Sequence, residues 1–177
     1  MHNKHMSKIL PLSLYPAFVL RQKARELTTQ ELQSASLSQL LLAMEKTMEA
    51  NDGIGLAAPQ IGKSIRLAIV KTKDGILPLL NPKIIKKSLR KELDTEGCLS
   101  IPGVFGTVKR HLKIKVQTIN LDGKIITIDA QGLFARVIQH EIDHLNGVLF
   151  IDKAQEITEG AAVLHSLKEN TSIVTHE

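Results

Sequence analysis

The feature that most constrains this chain is a pair of histidines four residues apart inside an otherwise apolar stretch. In Gln139-His140-Glu141-Ile142-Asp143-His144 a helix sets the two imidazoles one turn above each other, so both reach a single ion. Glu141, next to the first histidine, projects beside that ion without having to ligate it, which is where a general base for water belongs. Leu133 to Asn146 reads as the helix, stopped by Gly147. Leu133, Val137, His140, Glu141 and His144 share one stripe, and Phe134, Ile138, Ile142 and Leu145 share another. A helix apolar on both sides of its ligand stripe is buried. Buried histidines and a buried glutamate are costly unless a metal or hydrogen bonds satisfy them.

The material that surrounds this helix reads as strands. Ile65, Leu67 and Ile69 alternate with Arg66 and Ala68, and Leu112, Ile114 and Val116 alternate with Lys113 and Lys115. Asp122-Gly123, between Ile119-Asn120-Leu121 and Lys124-Ile125-Ile126-Thr127-Ile128, is a strong hairpin signal. Earlier, Thr28 and Glu31 have the form of a capping box, and Ser38 to Ala50 reads as an amphipathic helix ended by Asn51-Asp52-Gly53. Strands followed by one late helix, without βαβ alternation, predict an α+β domain. Its antiparallel sheets pack around the central helix that carries His-Glu-x-x-His.

The 177 residues suit one catalytic domain, with residues 1–8 expected to be flexible and 154–177 a C-terminal helix or tail. The apolar run from Ile9 to Leu20 has the look of a signal peptide. Pro11 and Pro16 interrupt it, however, and Arg21, Lys23 and Arg25 come directly after, so it reads as an extended arm packed on the domain. No stretch is long and apolar enough to span a membrane. Aromatic residues make up only 3%, which leaves little for nucleic-acid recognition by stacking. The net charge of +5 gathers in Lys83, Lys86, Lys87, Arg90 and Lys91, and in Lys109, Arg110, Lys113 and Lys115. These read mostly as solvated strand and loop faces, and no specific nucleic acid is expected. A lone cysteine, Cys98, suggests a reducing compartment and a cytoplasmic location, with an organelle as the alternative.

The third ligand decides the class. A metzincin needs a histidine at position 150, where this chain has Phe150. A thermolysin-like site needs a downstream glutamate, and Glu156, Glu159 or Glu169 leaves that open. A structural zinc site closed by a fourth ligand leaves Glu141 a buried charge without a task. Cys98, in Glu96-Gly97-Cys98-Leu99-Ser100-Ile101-Pro102-Gly103, reads as lying on a loop or edge strand. Its thiolate with two imidazoles suits Fe(II), Zn(II) or a similar ion and leaves a position for water. Gly53-Ile54-Gly55-Leu56-Ala57-Ala58-Pro59-Gln60-Ile61-Gly62 lacks the spacing of a phosphate loop. It reads as a tight turn with packing glycines and an amide donor in Gln60.

Taken together, Gly53 to Gln60, Glu96 to Ser100 and His140 to His144 resemble the peptide deformylase family. The likeness runs from about Ile9 to Asp152. The resemblance implies hydrolysis of the N-formyl group from the N-terminal methionine of newly made polypeptides, with release of formate. It implies one divalent ion, Fe(II) physiologically and Zn(II), Ni(II) or Co(II) in purified protein, held by Cys98, His140 and His144. Glu141 is then the acid/base, and Gln60 and the Leu99 N–H stabilise the oxyanion. Gly55, Ile54 and Gly97 lie along the substrate, and Val137 and Leu133 line an apolar pocket for the methionine side chain. Glu96, Arg110 and Asp143 orient the ligands. Some family members carry an arginine where this chain has Phe105. Some bacterial members dock on the ribosome through a basic C-terminal helix. Ala154 to Glu177 has one lysine, Lys168, against four glutamates, so only transient ribosome proximity is expected of it.

Overall fold

The structure, a computed structural model, describes residues 8–174, the stretch 170–174 by backbone alone. Residues 1–7, where flexibility is expected, lie outside the described residues. The chain runs as α1 (Thr29–Leu32), α2 (Ala35–Ala50), β1 (Gly55–Ala57), β2 (Leu67–Thr72) and β3 (Gly75–Lys87). Next come β4 (Lys91–Cys98), β5 (Ile101–His111), β6 (Lys113–Ile119), β7 (Ile125–Gln131), α3 (Gly132–Leu145), β8 (Ala154–Glu159) and α4 (Ala161–Val174).

Local chemistry accounts for the helix starts. Thr28 and Glu31 form the expected capping box at α1. α2 begins at Ala35, ahead of its amphipathic pattern, because the Ser34 hydroxyl accepts the Leu37 N–H. The hairpin between β6 and β7 is also as expected, although its turn is wider than two residues. The Asn120 side chain accepts the N–H groups of Asp122 and Lys124, which rounds the corner, and Gly123 takes φ +78°.

Two antiparallel sheets enclose α3. The first has the order β1-β2-β3-β6-β7 and the second β4-β5-β8. One face of the first sheet, with Ala57, Ala68, Val70, Leu79, Val116 and Ala130, packs on Ala135, Ile138, Ile142 and Leu145 of α3. Its other face, with Leu56, Leu67, Ile69 and Leu80, packs on Leu37, Met44 and Met48 of α2. Each such large side chain stabilises the fold by roughly 1.5–3 kcal/mol when fully buried. β2 is therefore buried on both faces from Leu67 to Val70, where the sequence pattern suggested a half-buried strand starting at Ile65. The small Ala57, Ala68 and Ala130 on the α3 side let the helix approach closely, and alternation with polar residues is lost there.

The second sheet was the less legible one. Residues Lys91 to Thr95 of β4 are all exposed, and β8 is an edge strand with only Ala154 and Ile157 half-buried. The segment 154–159 is thus a strand paired to β5 rather than helix or tail, and the helix begins after it. Gly160 makes that change of direction at φ +74°, where a Cβ would strike the Gly103 carbonyl. Leu20, Ile101, Val104, Val108, Leu149, Phe150 and Leu164 form a third core cluster beneath this sheet.

The N-terminal arm packs as expected. Its Leu10 N–H donates to Thr47 Oγ1 (2.8 Å), Ser13 N–H to the Gln60 carbonyl (2.7 Å) and Tyr15 N–H to the Ser100 carbonyl (2.8 Å). The arm thereby ties the glycine segment to the cysteine segment. No helix among the described residues is long and apolar enough to cross a membrane.

Candidate metal centre and active site

α3 carries His140 and His144 one turn apart, their ring centroids 4.9 Å from each other. Cys98 ends β4, an edge strand of the second sheet, and brings its Sγ to 3.2 Å from His144 Nε2. One ligand atom from each of Cys98, His140 and His144 lies within 4.8 Å of the others. A soft thiolate with two imidazoles is a donor set for Fe(II), Zn(II) and similar ions. Glu141 Oε2 is buried with no hydrogen-bond partner among the described residues. An orphaned carboxylate oxygen beside three convergent donors fits a site that receives an ion and its water. Phe150, on which the metzincin spacing failed, is a core side chain stacked 6.3 Å from the His140 ring.

A buried carboxylate holds the His140 ring. Its Nδ1 lies 3.0 Å from Glu96 Oε2. Glu96, itself 6% exposed, also accepts from Arg110 Nε and Nη2 at 2.8 Å each and from Arg136 Nη1 at 2.8 Å. Arg110 reaches on to Asp143, which also pairs with Lys153 Nζ at 2.6 Å. Arg110 is thus buried against two carboxylates, unlike the exposed lysines with which the sequence grouped it. Burial opposes the charge on Glu96, but hydrogen bonds from Arg110 and His140 outweigh it and hold the carboxyl well below the usual range. Arg110 is likewise held above its ordinary value by Glu96 and Asp143 against the cost of burial.

In the metal-free protein the two histidines diverge. Burial alone lowers the pKa of His140, yet hydrogen bonds to Cys98 and Glu96 prevail and raise it to about 10. Burial, and next the charge on His140, push His144 well below its usual value. Burial pushes Glu141 up to about 7, the charges of Glu96 and Asp143 adding to this while His140 and Arg110 oppose it.

A cavity of about 580 Å³ opens above these groups, lined by Gln60, Glu96, Cys98, Leu99, His140 and Glu141. Every residue expected along the substrate, namely Ile54, Gly55, Gly97, Leu133 and Val137, lines it too. Leu133 stands at its rim, 64% exposed, and Val137 is buried. Gln60 is oriented by the Ala57 N–H, which donates to Oε1 at 2.8 Å. Its Nε2 therefore faces Ser100 Oγ at 3.3 Å and Cys98 Sγ at 3.5 Å. Gly55 has a reason beyond the approach of a substrate backbone, since a Cβ there would run into the Glu141 carboxylate and Val137. A Cβ on Gly97 would meet the ring of Phe105, which also lines the cavity.

Arg136, Ser100 and Lys153 were not singled out in the sequence. Arg136 is buried and bonds Glu96, the Val108 carbonyl and the Glu92 carbonyl. Its signal is a cation one turn before His140 on a helix that has to be buried. Ser100, the last residue of the Glu96–Ser100 segment, is fully buried and accepts from Gln60 Nε2, a contact between distant segments. Lys153 meets Asp143 only through the fold.

The chain also matches known proteins over this region. The family model for polypeptide deformylase matches residues 9–159. A peptide deformylase of Thermoanaerobacter pseudethanolicus is 50% identical over 136 residues, 77% of this chain and 83% of that protein. One of Desulfitobacterium hafniense is 46% identical over 141 residues, 78% of this chain and 89% of the relative. Among solved structures, a class I type b peptide deformylase of Acinetobacter baumannii bound to Met-Ala-Ser has 37% identity and a TM-score of 0.80. The match covers 84% of this chain and 99% of that one. The Thermotoga maritima peptide deformylase gives a TM-score of 0.80 at 36% identity, over 84% of this chain and 99% of its own. The three motif segments, the metal-ligand cluster and these similarities agree: the chain belongs to the polypeptide deformylase family.

Proposed function

We propose that this chain is a metal-dependent hydrolase that removes the N-formyl group from the N-terminal methionine of newly made polypeptides and releases formate. One observation carries the reading. Ligand atoms of Cys98, His140 and His144 converge within 4.8 Å, and Glu141, whose Oε2 has no hydrogen-bond partner among the described residues, lines the cavity beside Cys98 and His140. Cys98, His140 and His144 are the metal ligands in this reading, with Fe(II) the physiological ion and Zn(II), Ni(II) or Co(II) acceptable to the same donors. A divalent ion held there supplies Lewis acidity toward a water and toward the formyl carbonyl.

The chain's own groups do the rest. Glu141 takes a proton from the attacking water and returns it to the amine nitrogen as the C–N bond breaks, giving formate and a free amino terminus. As the formyl carbon becomes tetrahedral, negative charge grows on its oxygen. The Gln60 Nε2–H and the Leu99 N–H meet that charge. Gly55, Ile54 and Gly97 run along the substrate backbone, and Val137 and Leu133 accept the methionine side chain. Glu96, Arg110 and Asp143 hold His140 in its orientation. The enzyme works as one catalytic domain in the cytoplasm, where nascent chains are made.

The test compares formate release from formyl-Met peptides with cleavage of internal peptide bonds, using enzyme purified anaerobically and analysed for metal. Formate release that needs the ion is expected, with no internal cleavage. Titration of the Cys98 thiol gives the complementary result, since a freely reactive thiol in active holoenzyme contradicts the ligand assignment.

A further inference from the structure

β4 carries Cys98 and has little apolar material to hold it to the rest of the fold. It is an edge strand paired only with β5, and its first five residues, Lys91 to Thr95, are exposed. Its one fully buried residue is a carboxylate, Glu96. Glu92, Asp94, Glu96 and Cys98 stand at alternate positions of the strand, so three of the four places that could grip a core carry charge instead. The pairing with β5 also shifts register between Gly97 and Cys98, so the ladder by itself does not fix the thiol. Besides the contact of Glu96 with His140, Arg136 joins this strand to the histidine helix. Arg136 is 7% exposed and sits one turn before His140 on α3. Its Nη2 donates to the Glu92 carbonyl at 2.9 Å, and its Nη1 donates to Glu96 Oε1 and to the Val108 carbonyl at 2.8 Å each. Its Nε lies 3.8 Å from Asp94 Oδ2, an open pair that adds little. Arg110, by contrast, lies on β5 and bonds the side chains of Glu96 and Asp143.

We infer that Arg136 is a positioning residue for the metal: it clamps β4 to α3 and so sets the reach of the Cys98 thiolate toward the two imidazoles. The inference rests on the ligand set of the deformylase reading above. Glu96 orients a ligand that α3 already carries, whereas Arg136 brings in the ligand that α3 lacks. Lysine cannot take its place, because a point ammonium has no planar fork to bond the Glu92 carbonyl and Glu96 together. The rival anchor is the turn after Cys98, where Ile101 is buried and the Tyr15 N–H donates to the Ser100 carbonyl at 2.8 Å.

The test loads the full chain with Co(II), whose charge-transfer band from a thiolate reports the bond to Cys98. Wild type should show the band and Cys98→Ala should not. In Arg136→Lys and Arg136→Met, cobalt affinity should fall about 10–100-fold, the scale for a group behind a ligand, and the band should weaken per bound ion. Intensity per bound ion does not depend on how much of a preparation is folded. Glu96→Gln is the contrast: it should lose affinity and keep the band, because it loosens an imidazole and not the thiolate. A full band per bound ion in both Arg136 variants leaves the thiol to the turn at Ser100 and overturns the clamp, with the deformylase reading intact. Failure of both variants to take up any cobalt also overturns it, because Arg136 then supports the whole site rather than the thiolate. A wild type that binds cobalt without the band overturns the ligand set itself, and the inference with it.

Discussion

Glu96 Oε2 lies 3.0 Å from Nδ1 of His140. A carboxylate there fixes the ring and leaves Nε2 free for the metal in the proposed reading. Two guanidiniums, those of Arg110 and Arg136, hold Glu96 in turn. Glu96→Gln should weaken metal binding by about 10–100-fold, as read by chelator competition. It should also destabilise the fold by about 3–5 kcal/mol, because two buried cations lose their shared counter-charge. Unaltered metal affinity in a folded Glu96→Gln protein contradicts the orienting role.

Glu141 is the only carboxylate at the site left without a partner for one oxygen among the described residues. Glu141→Gln keeps the shape and removes the proposed base. The variant should retain its metal, by elemental analysis, and lose about 10²–10⁴ in kcat. Activity near that of the wild type would falsify the proton-transfer role.

The same residue sets a pH dependence in the metal-free protein. Its carboxyl is pushed up to about 7 from an ordinary 4.5, burial being the largest cause. The folded state therefore binds this proton more tightly than the unfolded state. Its stabilising contribution is complete below pH 4.5 and is lost as pH rises through about 7. Urea midpoints of metal-free wild type and Glu141→Gln, taken between about pH 5 and about pH 9, should diverge, with the wild type losing ground as pH rises. A constant difference across that range rules out the raised pKa.

Gln60 has its amide turned by the Ala57 N–H. Gln60→Ala should lower kcat by about 10²–10³ with metal content unchanged. It also leaves a buried donor at Ala57 unsatisfied, which costs about 1–3 kcal/mol. Ser100→Ala removes only one restraint on Nε2 and should cost far less activity. Equal losses from the two substitutions indicate that Gln60 acts through packing and not as a donor to the reacting oxygen.

Gly55→Ala places a methyl where the Glu141 carboxylate and Val137 lie. The carboxylate must move, so kcat should fall by about 10²-fold or more, the cost of a small misplacement at the reacting centre. Metal binding through His140 and His144 should persist. If the loss appears in KM alone, Gly55 serves the substrate backbone rather than the base.

Part of the fold was legible in the chain because local spacing carries it. The four-residue interval between His140 and His144 has one meaning on a helix, and the apolar stripes on either side required burial. Thr28 with Glu31, and Asp122 with Gly123, signal a cap and a turn through chemistry that involves only near neighbours. β4 was not legible in that way: its first five residues are exposed, and pairing with β5 rather than apolar pattern makes it a strand. β8 is an edge strand whose partner lies far away in the sequence.

The helix with its two imidazoles and its adjoining carboxylate could be read from the residues alone, because a period of 3.6 residues needs no partner. Its completion came from long-range packing. The fold delivered the Cys98 thiol from the edge of another sheet, set Arg110 and Arg136 on Glu96 behind His140, and turned Gln60 toward Ser100. Each of these contacts joins segments far apart along the chain, where no local rule applies. Tertiary surroundings then set the proton affinities. The same carboxyl group is held low at Glu96, where guanidiniums bond it directly, and pushed up at Glu141, where burial prevails.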